Sequence, residues 1–272
     1  MARKRFLLPM SVHIKSTPLQ SGYQHIADLK FLTFARLVFD GNFRSYSASS
    51  GDREVALDVL SGKCTVKTPA GPLVGEVRRG CFDDAPVMFY IPPGTAYTME
   101  SDNAVVALFS APASDVKQAA VVIQKNDATL NKVGKDNWFR NVYSSIGENV
   151  AAQRLLVGET LNPPGNWSSS PPHKHDAYSP PSEVPMEEIY YFQVHPKQGF
   201  GFMRLYTPSD AENPCDEAML IRDGDTVLIP RGYHTVVAAP GYQVSYVWAL
   251  AGEARKYGAW ADDPDHAWLR KT

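Results

Sequence analysis

Three histidines and one of two adjacent glutamates in the second half of this sequence can converge on a cation: His173, His175 and His234, with Glu187 or Glu188. Only seven histidines occur in 272 residues, and two of them stand two apart in Pro171-Pro172-His173-Lys174-His175-Asp176. On a strand, residues i and i+2 share a face, so both imidazoles reach one point in space. Glu187 and Glu188 open the β-prone run Ile189-Tyr190-Tyr191-Phe192. As neighbours on a strand they face opposite sides, so at most one points inward. His234 ends the turn Pro230-Arg231-Gly232-Tyr233-His234. Imidazoles plus one carboxylate suit one divalent ion, Zn, Mn, Fe or Ni, and this donor mix does not select among them.

The elements that must position these residues are short strands. Twenty-one prolines and 19 glycines punctuate runs such as Val55 to Leu60, Val87 to Ile91, Met219 to Ile221 and Val244 to Val247. That pattern predicts an all-β sandwich or barrel. Ser114 to Gln124 and Ala151 to Leu156 are the stretches in which a helical period can be traced, the second fitting a strand equally well.

A repeat appears in the turns. Phe89-Tyr90-Ile91-Pro92-Pro93-Gly94 matches Val227-Leu228-Ile229-Pro230-Arg231-Gly232, and Leu57 to Gly62 is related in the same way to Ile189 to Val194. Gly94 and Gly232 lie about half a chain apart, so one β unit is present twice, with its join near Val121 to Val133. The predicted units are 1–125 and 126–272. In the first, Tyr97 stands where His234 stands in the second, and no histidine lies between His25 and His173. One metal per chain, held by the second unit, is therefore expected.

Composition bounds the partners. Hydrophobic residues make up 44% and charged residues 21%, enough to bury a core, and 27 basic against 29 acidic residues leave a formal charge of -2. Such a chain has no field to attract phosphate backbones or anionic membranes, which argues against nucleic acid as its main partner. Cys64, Cys81 and Cys215 are too few and too widely spaced for a disulfide framework, and fit a reducing compartment. Met1 to Lys15 opens with basic residues, but its apolar stretch, Phe6 to Met10, is too short for a signal peptide, and no run approaches a membrane span. A soluble, cytoplasmic protein is expected, with Tyr- and Phe-rich outer faces that leave a homo-oligomer open.

His173-x-His175, Glu188 with Tyr191 three beyond it, and Gly224-Asp225 followed by Pro230-Arg231-Gly232-Tyr233-His234 resemble the two sequence motifs of the cupin superfamily. Members of that superfamily hold a metal in small β-barrels through three His and one Glu. The resemblance implies two tandem cupin barrels (double-stranded β-helix, jelly-roll), the first degenerate and without metal ligands. It also implies Glu188 as the ligand, because cupin ligand glutamates are followed by two apolar or aromatic residues and a Tyr-like position. Eleven residues, Asp176 to Met186, replace the usual short gap, and the Pro-rich loop Ser179 to Pro185 is expected over the barrel mouth.

A narrower resemblance covers most of the chain. The block Gly165 to Asp176, then Glu187-Glu188-Ile189-Tyr190-Tyr191, Gln198-Gly199-Phe200, Arg204-x-Tyr206-Thr207, Asp216 to Met219 and Val227 to His234, is similar to the 5-deoxy-glucuronate isomerase family of bacterial inositol catabolism. Departures stand at Phe192-Gln193 and Trp248. The resemblance implies conversion of an aldose acid, 5-deoxy-glucuronate, to a ketose acid, 2-deoxy-5-keto-gluconate, through a metal-stabilised enediolate, with a small-molecule sugar acid as partner. Arg204 is then the expected grip on the carboxylate, from its place among Phe200, Phe202 and Tyr206, with Lys174 and Tyr233 as further substrate contacts. For the base, Glu187 and Tyr206 stand beside Glu183, Asp176, Tyr233 and a metal-bound hydroxide, and the sequence does not choose. An isomerase of a related deoxy-keto uronate, a metal-dependent cupin oxygenase and a non-catalytic sugar-acid-binding cupin are the alternatives.

Overall fold

The short apolar runs pair antiparallel into four sheets in this computed structural model, which describes residues 12–114 and 116–271. Two sheets draw on the first half of the chain. One has six strands in the order Val121–Ile123, Met88–Ile91, Arg53–Gly62, Ala104–Pro112, Thr33–Phe39, Gly22–Asp28, and the other has four, Ser45–Ser49, Ala96–Glu100, Thr65–Thr68, Gly71–Val74. The second half supplies most of a seven-stranded sheet, in which Thr226–Ile229, Met186–His195, Gln243–Gly252, Leu156–Asn162, Arg140–Ile146 and Thr129–Val133 follow one another. It also forms a five-stranded sheet, Asp216–Ile221, Gly201–Tyr206, Tyr233–Ala238, Trp167–Lys174, Ala261–Asp262. One strand crosses over: His13–Ile14 pairs with Thr226–Ile229 at the edge of the seven-stranded sheet. The rest of the basic opening segment, up to Ser11, including the apolar stretch Phe6 to Met10, lies outside the described residues.

Three apolar clusters hold the sheets together. Leu37, Leu57, Val66 and Met99 fill the space between the six- and four-stranded sheets. Phe192, Met203, Val236 and Tyr246 do the same between the seven- and five-stranded sheets. The third cluster joins the halves, with Phe34, Ala56 and Phe109 from one and Val157, Ile189 and Val247 from the other. Strands at the centre of a sheet are thus covered on both faces and read as nearly continuous apolar runs. Met186–His195 shows what this does to the site. Met186, Tyr190, Phe192 and Val194 face the core of the second half, and Ile189 and Tyr191 face the first half. Alternation sends Glu188 with the first group and Glu187 with the second.

Carboxylates cross the boundary between halves in matched positions. Glu187 accepts the backbone N–H groups of Lys30, Phe31 and Leu32 at 3.1, 2.6 and 2.6 Å. Glu54 accepts those of Gln153, Arg154 and Leu155 at 2.8, 2.6 and 2.7 Å. Val55 pairs with Ile91 and Glu188 with Ile229, each just ahead of a proline, so Glu54 and Glu187 occupy equivalent places in the repeat. A third tie is Arg78, buried, with both Nη atoms 2.6 Å from the Glu159 carboxylate and Nη1 3.4 Å from Asp58. Burial and the Glu159 charge push the Asp58 carboxyl well above its ordinary range.

Among the described residues, the stretches in which periodicity suggested a helix form none. Val121–Ile123 is an edge strand, and Leu156 begins the strand Leu156–Asn162. Just ahead of it, the N–H groups of residues 153–155 donate to Glu54 and not to a helical ladder. The described residues contain only two short 3-10 turns, Asp136–Trp138 and Ala267–Lys271, and no helix long and apolar enough to cross a membrane. Cys64, Cys81 and Cys215 are all free thiols.

Candidate metal centre and cavity

Three segments of the second half deliver the ligand candidates. His173 lies on Trp167–Lys174, with His175 just past its end; Glu188 lies on Met186–His195 and His234 on Tyr233–Ala238. Trp167–Lys174 and Tyr233–Ala238 are neighbours, with His173 opposite His234. A glycine sets the turn into the second of these strands. Gly232 has φ +96°, and a Cβ there would lie 2.7 Å from the Tyr206 carbonyl oxygen, so no larger residue brings His234 in by this route.

His175, Glu188 and His234 are buried and present ligand atoms that all lie within 4.8 Å of one another. Oε2 of Glu188 is 3.1 Å from Nε2 of His175 and 3.4 Å from Nε2 of His234. His173 stands just outside this trio, its ring 4.7 Å from that of His234 and 6.3 Å from that of His175. Each imidazole has Nδ1 near a backbone carbonyl: Met186 at 2.6 Å for His175, Gly232 at 3.4 Å for His234 and Pro171 at 3.5 Å for His173. At His234 a proton held on Nδ1 by such a carbonyl leaves Nε2 as a free lone pair, the arrangement that outer-shell partners impose on metal-bound histidine. Nε2 of His234 is buried with no hydrogen-bond partner. An unsatisfied buried nitrogen is costly, and a cation between it, His175 and Glu188 removes that cost. The donor set therefore fits a divalent ion.

Electrostatics agree with that fit at His173 and His234. Burial, reinforced by the His175 charge, pushes the His173 imidazole down to about 3. Burial and the neighbouring imidazoles also hold His234 well below its ordinary value. Both are then neutral at physiological pH, as ligands must be. For His175 burial also works against the charged form, but the hydrogen bond and charge of Glu188 outweigh it and raise the value. Glu188 itself is raised by burial, against the pull of His175.

His173, His175 and Glu188 line a cavity of about 100 Å³. Its polar wall holds Arg140, Thr160, Ser169, Tyr190 and Tyr246, and its aromatic wall holds Trp248, Tyr257 and Trp260. Gly158 lies opposite Trp248 on the neighbouring strand, and a Cβ there would come within 2.3 Å of the indole, so the glycine makes room for that ring.

Several expected site residues lie elsewhere. Glu187 faces the first half and is occupied by three backbone donors, which takes it away from the cavity. Arg204 is on the outer face of Gly201–Tyr206, because Met203 and Leu205 are the residues of that strand that enter the core; its Nε and Nη2 are each 2.8 Å from Asp216. Tyr206 donates its hydroxyl to Asp263 and packs its ring, tilted, against Tyr233, and neither ring lines the cavity. Lys174 points away from the histidines that flank it, pairing with Asp176 at 2.6 Å and Glu183 at 2.8 Å. Glu183 also accepts the N–H groups of Asp176 and Ala177, which pins the Pro-rich loop down. That loop docks on the segment 256–259 through Lys256 and Ala259, and it is Tyr257 and Trp260, not loop residues 177–185, that wall the cavity. Of the two departures noted in the sequence, Trp248 is in the wall and Phe192 is in the core. Arg140 was missed, although it shares an inward face with Val142 on Arg140–Ile146, a cation in phase with an apolar stripe.

Residues 15–269 match the family described as KduI/IolB. The chain belongs to the KduI/IolB family. A 5-deoxy-glucuronate isomerase from Geobacillus thermodenitrificans is 31% identical over 95% of this chain and 91% of that protein. Among solved structures, an IolB-like protein from Salmonella typhimurium superposes with a TM-score of 0.86 at 28% identity, covering 94% of this chain and 98% of that one. An oxalate decarboxylase from Lactobacillus farciminis, at 11% identity and a TM-score of 0.66 over 97% of this chain and 91% of its own, shares the cupin-like fold alone. Within the KduI/IolB family chain, the register of the repeat locates the sequence-level asymmetry. Tyr97 opposes Ala48 as His234 opposes His173, so Ala48, Ser50, Val55 and Tyr97 stand where the second half has His173, His175, Glu188 and His234. The turn before Tyr97 is one residue longer than the turn before His234, yet both rings point inward.

Proposed function

We propose that this protein is an aldose–ketose isomerase converting 5-deoxy-glucuronate to 2-deoxy-5-keto-gluconate, with one divalent ion held in the second half by His175, Glu188 and His234, and by His173 as a fourth donor. The observation that carries the proposal is that this buried donor trio adjoins a polar and aromatic cavity in a chain of the KduI/IolB family. The ion, when bound, supplies a Lewis acid that stabilises negative charge on the substrate oxygens.

The chain's own residues do the rest. Burial raises the Tyr190, Tyr246 and Tyr257 phenols above their ordinary values, so each keeps its proton and serves as a hydrogen-bond donor to developing oxyanions. Ser169 lies 3.2 Å from the Tyr190 hydroxyl and orients it. The C2-to-C1 shift also needs a group that carries the proton between two carbons, and Glu188, committed to the ion as its ionised ligand, does not supply it. Trp248, Tyr257 and Trp260 exclude water from the sugar face and fix its pose. In this reading the first half, 1–125, is a degenerate copy that buttresses the second, 126–272.

The test is direct: protein reconstituted with Mn, Zn, Fe or Ni is incubated with 5-deoxy-glucuronate and followed by NMR. A ketose product is expected; an aldose that persists with every metal overturns the proposal. Substrate-dependent oxygen consumption would instead favour the oxygenase alternative.

A further inference from the structure

Among the described residues three arginines are buried, and they are satisfied in different ways. Arg78 meets two carboxylates. Arg36 is held by Gln24 Oε1, at 3.1 and 2.9 Å, and by Thr17 and Tyr191. Arg140 differs. Its Nη1 donates to the carbonyls of Trp138 and Ser170 at 3.2 and 3.5 Å, while among the described residues Nε and Nη2 make no hydrogen bond and no carboxylate pairs with it. Elsewhere in the chain that same Nε/Nη2 edge is what Arg204 offers to Asp216, 2.8 Å on each side. In Arg140 the edge is open, and the residue lines the cavity that His173, His175 and Glu188 also line. The guanidinium is 9% exposed as a residue, among Tyr190, Tyr246 and Tyr257, none of which supplies a countercharge.

A cation removed from water without a countercharge costs several kcal/mol, on the order of the penalty for any buried ion, and a protein retains one where a ligand supplies the opposite charge. The fork of arginine matches a carboxylate in two parallel bonds, which a lysine cannot reproduce. We infer that Arg140 is the carboxylate anchor of the substrate site, binding the acid end of a sugar acid through Nε and Nη2 while the carbonyls of Trp138 and Ser170 hold Nη1. This takes over the role that the sequence suggested for Arg204, and it rests on the sugar-acid reading above while naming the residue that makes an acid, and not a neutral sugar, the ligand.

Binding and turnover separate the two ideas. Calorimetry on the metal-loaded full chain uses gluconate, an unreactive sugar acid, and glucitol, its neutral counterpart. Wild type is expected to bind gluconate more tightly than glucitol; Arg140→Met is expected to lose about 10- to 100-fold in gluconate affinity with glucitol binding unchanged, and Arg140→Lys to recover only part of the loss. With 5-deoxy-glucuronate, the same variant should lose kcat/KM mainly through KM, with metal content intact. Should the variants fail to fold, wild-type protein decides: gluconate, and not glucitol, should protect Arg140 from phenylglyoxal modification mapped by mass spectrometry. Equal affinity of wild type for gluconate and glucitol, undiminished gluconate binding by Arg140→Met, or no selective protection overturns the inference. A wild type that binds gluconate through Arg140 yet makes no ketose overturns the isomerase proposal and leaves the anchor standing.

Discussion

At the scale of single residues, the contrast between Glu187 and Glu188 shows what side-chain alternation can and cannot deliver. Adjacent positions on a strand must face opposite ways, and that sends one glutamate toward the histidines and one away. What the second glutamate meets depends on residues 155 to 157 positions distant, the loop Lys30 to Leu32, and no local pattern announces that contact. Arg204 makes the same point. Its phase with Phe202 was readable, but whether that face lay inside or outside was set by the burial of Met203 and Leu205. Glu187→Gln is therefore expected to leave turnover per bound metal unchanged while lowering stability by about 1–3 kcal/mol, the worth of charge-assisted bonds to backbone donors. Urea unfolding beside a single-metal turnover assay checks both halves of that statement. A base in the reaction would instead lose turnover at unchanged stability.

At the scale of elements, the spacing of histidines and the Pro-Gly turns made the second-half strands legible, because period-2 patterning and turn chemistry are local. The helix-like stretch Ala151 to Leu156 was not, since its N–H groups find a carboxylate from the other half in place of the preceding turn. The short strand His13–Ile14 was equally hidden, for it pairs 214 positions away, His13 with Val227. The wall of the cavity depends on how three neighbouring strands stack. A Cβ at position 158 would meet the Tyr143 carbonyl oxygen at 2.1 Å and the Trp248 ring at 2.3 Å. Gly158→Ala should thus cost about 3 kcal/mol, toward the upper end of overpacking penalties, and displace Trp248 into the cavity. A blue- or red-shifted tryptophan emission together with raised KM is the expected signature; unchanged KM and stability would mean that the strands yield without moving the ring.

At the scale of the molecule, the halves share an apolar cluster and a fully buried ionic tie, Arg78 with Glu159 and Asp58, so they are expected to unfold together. Arg78→Met leaves two buried carboxylates without their cation and should destabilise the whole chain by about 3–5 kcal/mol in a single transition. Calorimetry resolving two independent transitions in wild type would contradict that coupling. The duplication itself was visible in the sequence because Gly94 and Gly232 punctuate both copies alike, and the asymmetry was visible because histidine is scarce. The most direct measurement is metal content by mass spectrometry, paired with NMR turnover of 5-deoxy-glucuronate, for wild type and His234→Ala. One divalent ion per wild-type chain is expected, with joint loss of ion and turnover in a still-folded variant. Two ions per chain, or full turnover by a His234→Ala protein without metal, would contradict it.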